Sequence, residues 1–184
     1  MSNLYAEQFS DIPEVLAQSA TLRDAMLTLI ETEPVYGKVT EGDDRLARFK
    51  EVLKSLVNAD ISLRDAYLQV EQELPRQTSM YASSNRVFTV DWSERLIKTQ
   101  YSRFYNQAVL EQLLAQGESQ CFIPHSSSEA SNSDCTLYLA GNVHDLKTLH
   151  NRLMESYGQG NWQRLKVPDH PHCTHVVALV GYFG

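Results

Sequence analysis

A repeated motif in the first half of the chain is the feature that most constrains its fold. The motif TLRDAML at residues 21–27 recurs as SLRDAYL at residues 62–68, and a proline follows each copy, at Pro34 and Pro75. The offset of 41 residues is the same at the motif and at the proline. Because amphipathic helices this short are not stable alone, the repeat predicts two related helix pairs packed as a compact four-helix unit over residues 1–78.

Helix-start signals give the expected boundaries within this unit. Pro13 is predicted to lie in the first turn of a short first helix, since proline is favoured there. Thr21 and Ser62 are predicted N-caps, and an aspartate three residues after each completes a capping box. A further helix is expected over about residues 44–57, where apolar residues recur with helical spacing.

The second half, residues 79–184, has a different pattern and is expected to be a separate α+β domain. A long helix is predicted from Trp92 to about residue 116, and a second helix from Asn142 to about Gly158, each ended by glycine. Short apolar and β-branched runs predict strands between and after them. These expected strands cover residues 86–90, 121–123, 135–140, 162–167 and 175–183. The predicted fold class is therefore α+β: an N-terminal duplicated helix-pair unit, then a sandwich of a mixed sheet and two helices.

Charge and cysteine content limit the classes of function. Residues 1–78 carry a net charge of −6 and residues 79–184 a net charge of −1. Since binding a phosphate backbone needs clustered lysine and arginine, the acidic half is not expected to bind nucleic acid. Three cysteines without paired spacing indicate reduced thiols, and no apolar run approaches a membrane span. These features predict a cytoplasmic, bacterial protein without a secretory signal or a membrane partner.

The leading functional hypothesis is a non-catalytic intracellular interaction protein, an adaptor or inhibitor that docks another protein through its acidic helical unit. Arg23 and Arg64 occupy the same position in the two copies of the motif. The capping box does not need an arginine there, so the pair is the candidate docking site for an acidic partner. A homo-oligomer is also compatible with the sequence. Neither catalysis nor a cofactor is expected.

The histidine-rich segment at residues 169–175 is a candidate metal site. His170, His172, Cys173 and His175 all have side chains that bind zinc. In an extended segment, however, alternate residues point to opposite faces. His170 and His172 would then share one face and Cys173 and His175 the other, so a site would need another ligand, such as His125. The sequence therefore favours no metal site here.

Two similar motifs suggest an alternative function. Residues 124–127 and 171–174 both read Pro-His-x-Ser/Thr. With the strand and helix predicted between them, the C-terminal stretch resembles the second half of two-histidine phosphoesterases. This resemblance implies that His125 and His172 act as general base and acid on a nucleotide or RNA phosphodiester, with Ser127 and Thr174 holding the phosphate. We expect instead that the two imidazoles lie apart and that the protein is not a phosphodiesterase.

The helix after Trp92 suggests a third function. Arg95, Lys98 and Arg103 alternate with aromatic residues along it, and bases combined with aromatic rings can clamp single-stranded nucleic acid. The same aromatic residues also recur with the spacing of a core-facing stripe. Single-strand binding is therefore an alternative to the interaction hypothesis.

Overall fold

The computed structural model describes residues 4–42 and 44–184. Within these residues the fold is mixed α+β and mostly helical, with seven α-helices and one two-stranded antiparallel sheet. The helices are α1 (Ile12–Gln18), α2 (Ala20–Thr32), α3 (Arg45–Val57), α4 (Leu63–Glu73), α5 (Trp92–Ala115), α6 (Asp134–Tyr138) and α7 (Leu146–Leu153). The strands are β1 (Gln120–Ile123) and β2 (Asn142–Asp145).

The first helix pair begins as expected, but its second helix has a different cap. Pro13 lies in the first turn of α1. The N-cap of α2 is Ser19, whose hydroxyl accepts a hydrogen bond from the Leu22 amide, so the prediction of Thr21 as the cap is wrong. Helix α2 starts two residues earlier because Ser19 has extended backbone dihedrals and Ala20 is already helical.

The second helix pair follows the sequence more closely. Helix α3 covers the expected residues, and Ser62 and Asp65 form the predicted capping box at the start of α4. Helix α1 packs on α2 and α3 packs on α4, as two sequential pairs. That the two pairs are a duplicated, pseudo-symmetric unit stays a prediction.

Helix α5 is the central element of the fold. It covers the predicted residues, and α2, α4 and α7 all pack against it. Residues 100–110 of this helix are all buried, polar side chains included. Arg103 is 0% exposed and donates to the carbonyl of Pro34 at 2.9 Å and to Gln107 Oε1 at 3.1 Å. Because residues 100–110 are buried on all sides, the apolar stripe of α5 is less one-sided than those of α2–α4.

The predicted mixed-sheet sandwich is wrong for the described residues. Strand β1 pairs with β2 in antiparallel register, Gln120 opposite Asp145 and Ile123 opposite Asn142. The expected strand at 135–140 is helix α6, because Ser133 caps it and redirects the chain. Segments 86–90 and 162–167 are turns and bends, and residues 175–183 form a single bridge, Phe122 to Ala178. Asn142 begins β2 rather than a helix, and Asp145 is the cap of α7.

One buried cluster draws on both halves of the chain. It runs from Tyr5 and Phe9 through α1–α5 to Val177 and Ala178 near the C-terminus. Backbone bonds also cross between the halves, since the Phe9 amide donates to the Thr174 carbonyl at 2.8 Å. The division into domains 1–78 and 79–184 stays a prediction, and the shared core joins the two segments.

Across the described ranges, 4–42 and 44–184, every helix is too short or too polar to cross a membrane.

Candidate metal centre

Four side chains from separate parts of the second half meet at one point. Glu129 lies in the loop after β1, Cys135 lies in the first turn of α6, and His170 and Cys173 lie in the C-terminal segment. One carboxylate oxygen, two sulfurs and one imidazole nitrogen all lie within 4.8 Å of one another. Both cysteines are buried, at 1% and 3% exposed. We refer to Glu129, Cys135, His170 and Cys173 as the four-residue cluster.

A tight turn brings two members of the cluster together. The Cys173 amide donates to the His170 carbonyl at 3.0 Å, which closes a turn over residues 170–173 with Pro171 at its second position. Proline suits this position because its fixed φ matches the turn. The turn directs His170 and Cys173 to the same side. The expectation that they lie on opposite faces is wrong, since it assumed an extended backbone.

Hydrogen bonds fix the orientation of the other two members. Glu129 Oε2 accepts from the Thr174 amide at 2.9 Å and from the Thr174 hydroxyl at 3.0 Å, so its other oxygen, Oε1, is left to face the cluster. The hydroxyl of Ser133, the cap of α6, lies 3.3 Å from Cys135 Sγ. Such outer contacts orient ligand side chains around metals in proteins.

The spacing of the donor atoms is close to that of a tetrahedral zinc site. Zinc bonds of about 2.0–2.3 Å imply ligand-to-ligand separations of about 3.3–3.8 Å. Cys135 Sγ lies 3.5 Å from His170 Nε2, and Glu129 Oε1 lies 3.2 Å from the same nitrogen. Small movements of side chains already in contact would therefore complete a coordination shell.

The pKa shifts within the four-residue cluster favour a thiolate at one of its cysteines. The hydrogen bond between the two thiols lowers the pKa of Cys135 and raises the pKa of Cys173, so Cys135 is the thiol that ionises more readily. The bond to the Cys135 sulfur also raises the pKa of His170. Cys121, outside the cluster, differs because burial raises its pKa to about 12. A thiolate is the form of cysteine that binds metals.

The same groups do not form a nucleophile–base–acid relay. In such a relay the acid contacts one imidazole nitrogen and the nucleophile contacts the other. Here Cys135 and Glu129 both lie against Nε2 of His170. A thiol and a carboxylate that both lie against one imidazole nitrogen are arranged like ligands around a metal ion, not like a relay.

The structure separates the residues that were weighed as metal ligands from sequence. His170 and Cys173 belong to the cluster. His175 is fully buried behind it, with Nδ1 at 3.8 Å from Cys173 Sγ. His172 points elsewhere, and its Nε2 lies 3.0 Å from Asp91 Oδ2 beside the start of α5.

The four residues of the phosphoesterase alternative have separate partners. The His125 imidazole packs against Gly141, where a side chain would clash with it, whereas His172 contacts Asp91. Ser127 donates to Gln8 at 3.0 Å, and Thr174 donates to Glu129. The two motifs also meet, because the hydroxyls of Ser126 and Thr174 lie 2.7 Å apart. The two histidines contact different residues, and two-histidine chemistry stays an untested alternative.

The basic residues of the other hypotheses are also dispersed. Lys98 pairs with Glu94 at 2.6 Å, Arg103 is buried in the core, and Arg95 lines a small surface cavity. Arg64 is exposed, whereas Arg23 is half-buried and reaches the Leu16 carbonyl at 3.5 Å. The two arginines of the repeat therefore differ in surroundings, and their role in docking a protein partner stays a prediction.

Sequence reasoning missed Glu129 and Cys135. Both lie in or beside a serine-rich segment that carries no periodic signal, 35 or more residues before the histidines in the chain. The His-x-x-Cys spacing at 170–173, with proline inside, is the signal that could have indicated one half of the site.

A scan against protein-family models gave no match, and searches of curated proteins and of solved structures also gave none.

Proposed function

We propose that this protein binds a zinc ion through the four-residue cluster, and that the ion stabilises the fold of the C-terminal region. The observation that carries the proposal is the convergence of four ligand atoms, two of them buried sulfurs, within 4.8 Å.

The donor set supports zinc over other metals. Two sulfurs and one nitrogen are borderline-soft ligands, which suit zinc, whereas magnesium and calcium require shells of oxygen. Four protein ligands in a tetrahedral arrangement are typical of structural zinc, since catalytic zinc keeps one position open. The burial of both cysteines agrees with a closed site.

The surrounding chain supports a structural role. The cluster joins the loop after β1, the short helix α6 and the segment after residue 166. In the described part of that last segment, regular pairing is limited to the bridge at Ala178. A region with so few backbone pairs gains much of its stability from side-chain contacts. A metal bound by residues of all three segments would add to that stability.

Metal analysis of the purified protein tests the proposal. We expect one zinc per chain in the wild-type protein. We expect less than a tenth of that in Cys135→Ser and in Cys173→Ser. Cys121→Ser is the matched control, because Cys121 is equally buried but lies in β1 outside the cluster. It should retain the full zinc content.

Cobalt substitution gives a second measurement that reports on the ligands. Co²⁺ bound by two thiolates should produce intense sulfur-to-metal charge-transfer absorption, and each single cysteine variant should weaken it. His170→Ala and Glu129→Gln should alter the visible bands while sulfur absorption remains. A wild-type protein that takes up neither zinc nor cobalt, or a Cys173→Ser variant with unchanged zinc, would overturn the proposal.

A further inference from the structure

A second candidate site lies away from the cluster, in a cavity of about 210 Å³ beside the first half of α5. Three aromatic rings and two arginines line it, together with hydroxyl groups and one buried amide. The volume is below the range of about 300–1,000 Å³ for drug-sized ligands. The cavity therefore suits a single ring system. The residues that the argument uses are Tyr36, Arg86, Trp92, Arg95, Gln100 and Trp162.

The buried amide is that of Gln100, which is 4% exposed and lines the cavity. Its Oε1 is buried without a hydrogen-bond donor among the residues that the structure describes. Buried polar atoms in native proteins are nearly always paired. Because Oε1 itself is buried from solvent, a ligand in this open cavity would not contact it, and Gln100 contributes only to the wall of the cavity.

The aromatic rings of the cavity are held in position. Tyr36 lies over Gly160, whose φ of +76° favours glycine and where a Cβ would come within 3.3 Å of the ring. Trp162 contacts Tyr157 edge to face at 5.4 Å, although it is itself 58% exposed. Trp92 is held in the same way by Phe88, at 5.1 Å. Fixed, partly exposed aromatic faces are the stacking surfaces that proteins offer to planar heterocycles.

The two arginines add positive charge at this cavity. Arg86 is exposed and Arg95 is half-buried. Within residues 4–42 and 44–184, neither guanidinium forms an ion pair or a side-chain hydrogen bond. Arginine binds phosphate groups through its planar fork of donors. In this respect the two arginines differ from Lys98, which forms an ion pair with Glu94 in α5.

We infer that this cavity binds the base of one nucleotide unit. The base would stack on the aromatic rings, while the phosphate would contact Arg86 and Arg95. A free mononucleotide and one unit of a single strand share this chemistry. This site uses Arg95 of the sequence-based nucleic-acid hypothesis, but neither Lys98 nor Arg103.

Intrinsic fluorescence tests the inference directly, because the chain has two tryptophans and both line the cavity. Titration with adenosine 5′-monophosphate or with a short oligoadenylate should quench the emission to saturation. Quenching by the monophosphate identifies the free nucleotide as a ligand, and quenching by the oligomer alone identifies a single strand. Inorganic phosphate at the same concentration should leave the emission unchanged.

Variants decide whether the cavity is responsible for the quenching. Tyr36→Ala, which removes an exposed ring that lines the cavity, should weaken binding at least about fivefold through the loss of base stacking. Arg95→Ala, at a half-exposed position that tolerates substitution, should weaken binding of the nucleotide but not of adenosine. Gln112→Leu, on the same helix outside the cavity, should bind as the wild-type protein does. No saturable quenching by either probe, or equal affinity in Tyr36→Ala and wild type, would overturn the inference.

Discussion

The helical region at residues 4–42 and 44–73 and the C-terminal region at residues 116–184 share one apolar core but differ in architecture. The first contains four helices whose apolar stripes pack on each other and on α5. The second contains short elements, long connections and one two-stranded sheet. In the first, most helix boundaries follow from neighbouring residues along the chain. In the second, side chains distant in sequence meet at a polar cluster, and this difference accounts for where sequence reasoning worked.

The largest expected effect concerns the cluster. Cys173→Ser should destabilise the protein by about 5 kcal/mol or more, since structural zinc contributes on the order of 10 kcal/mol in small domains. Cys121→Ser should cost much less. Urea unfolding of both variants, followed by circular dichroism and by tryptophan fluorescence, measures the difference. Equal destabilisation by Cys173→Ser and Cys121→Ser would mean that the four-residue cluster makes no special contribution to stability.

The next effect concerns the helical region, where packing rather than a metal provides the stability. Phe49 in α3 is 0% exposed in the core. Phe49→Ala should lower the free energy of unfolding by about 3–5 kcal/mol, because it leaves a cavity. The zinc content of this variant should stay at one ion per chain. Loss of zinc from Phe49→Ala under native conditions would mean that the two regions do not have independent sources of stability.

Gln100→Leu should have a smaller effect of opposite sign. It replaces a buried acceptor that lacks a donor, so the free energy of unfolding should rise by about 1 kcal/mol in the absence of ligand. Thermal unfolding without and with adenosine 5′-monophosphate tests this. A variant that is clearly less stable than wild type without ligand would indicate that Gln100 has a structural role.

The smallest effects concern helix caps. Ser19→Ala and Ser62→Ala should each cost about 1 kcal/mol, because each removes the acceptor for an orphan backbone N–H. Thr21→Ala should change the free energy of unfolding by less than about 0.5 kcal/mol, since Thr21 lies inside α2. Urea titrations of the three variants compare them. A cost at Thr21 equal to that at Ser19 would contradict the observed start of α2.

These comparisons also explain how far the sequence could predict the fold. The bounds of α3, α4 and α5 follow from local rules, namely apolar spacing, the capping box at Ser62 and glycine after α5. The cap at Ser19 was missed because Thr21 and Asp24 offered an equally good local pattern two residues later. Local rules cannot choose between two caps when the tertiary packing of α2 decides.

The candidate site shows a different limit. His170 and Cys173 were recognised as possible ligands, but an extended backbone was assumed for them and the turn at Pro171 changed their direction. Glu129 and Cys135 could not be predicted, because their contact with the turn depends on how β1, α6 and the C-terminal segment fold together. The expected strand at 175–183 was wrong because Val176 and Val177 fill the core, while backbone pairing in this segment is limited to the bridge at Ala178.

Hydrogen exchange measured with and without a zinc chelator tests the central claim most directly. The account predicts that chelation raises exchange about tenfold or more in peptides covering residues 124–138 and 166–178, while peptides from α3 and α4 keep their protection. Cys173→Ser without chelator should give the same pattern. Exchange that does not change anywhere, or that rises equally in both regions, would contradict the claim that a metal at the four-residue cluster stabilises the C-terminal region.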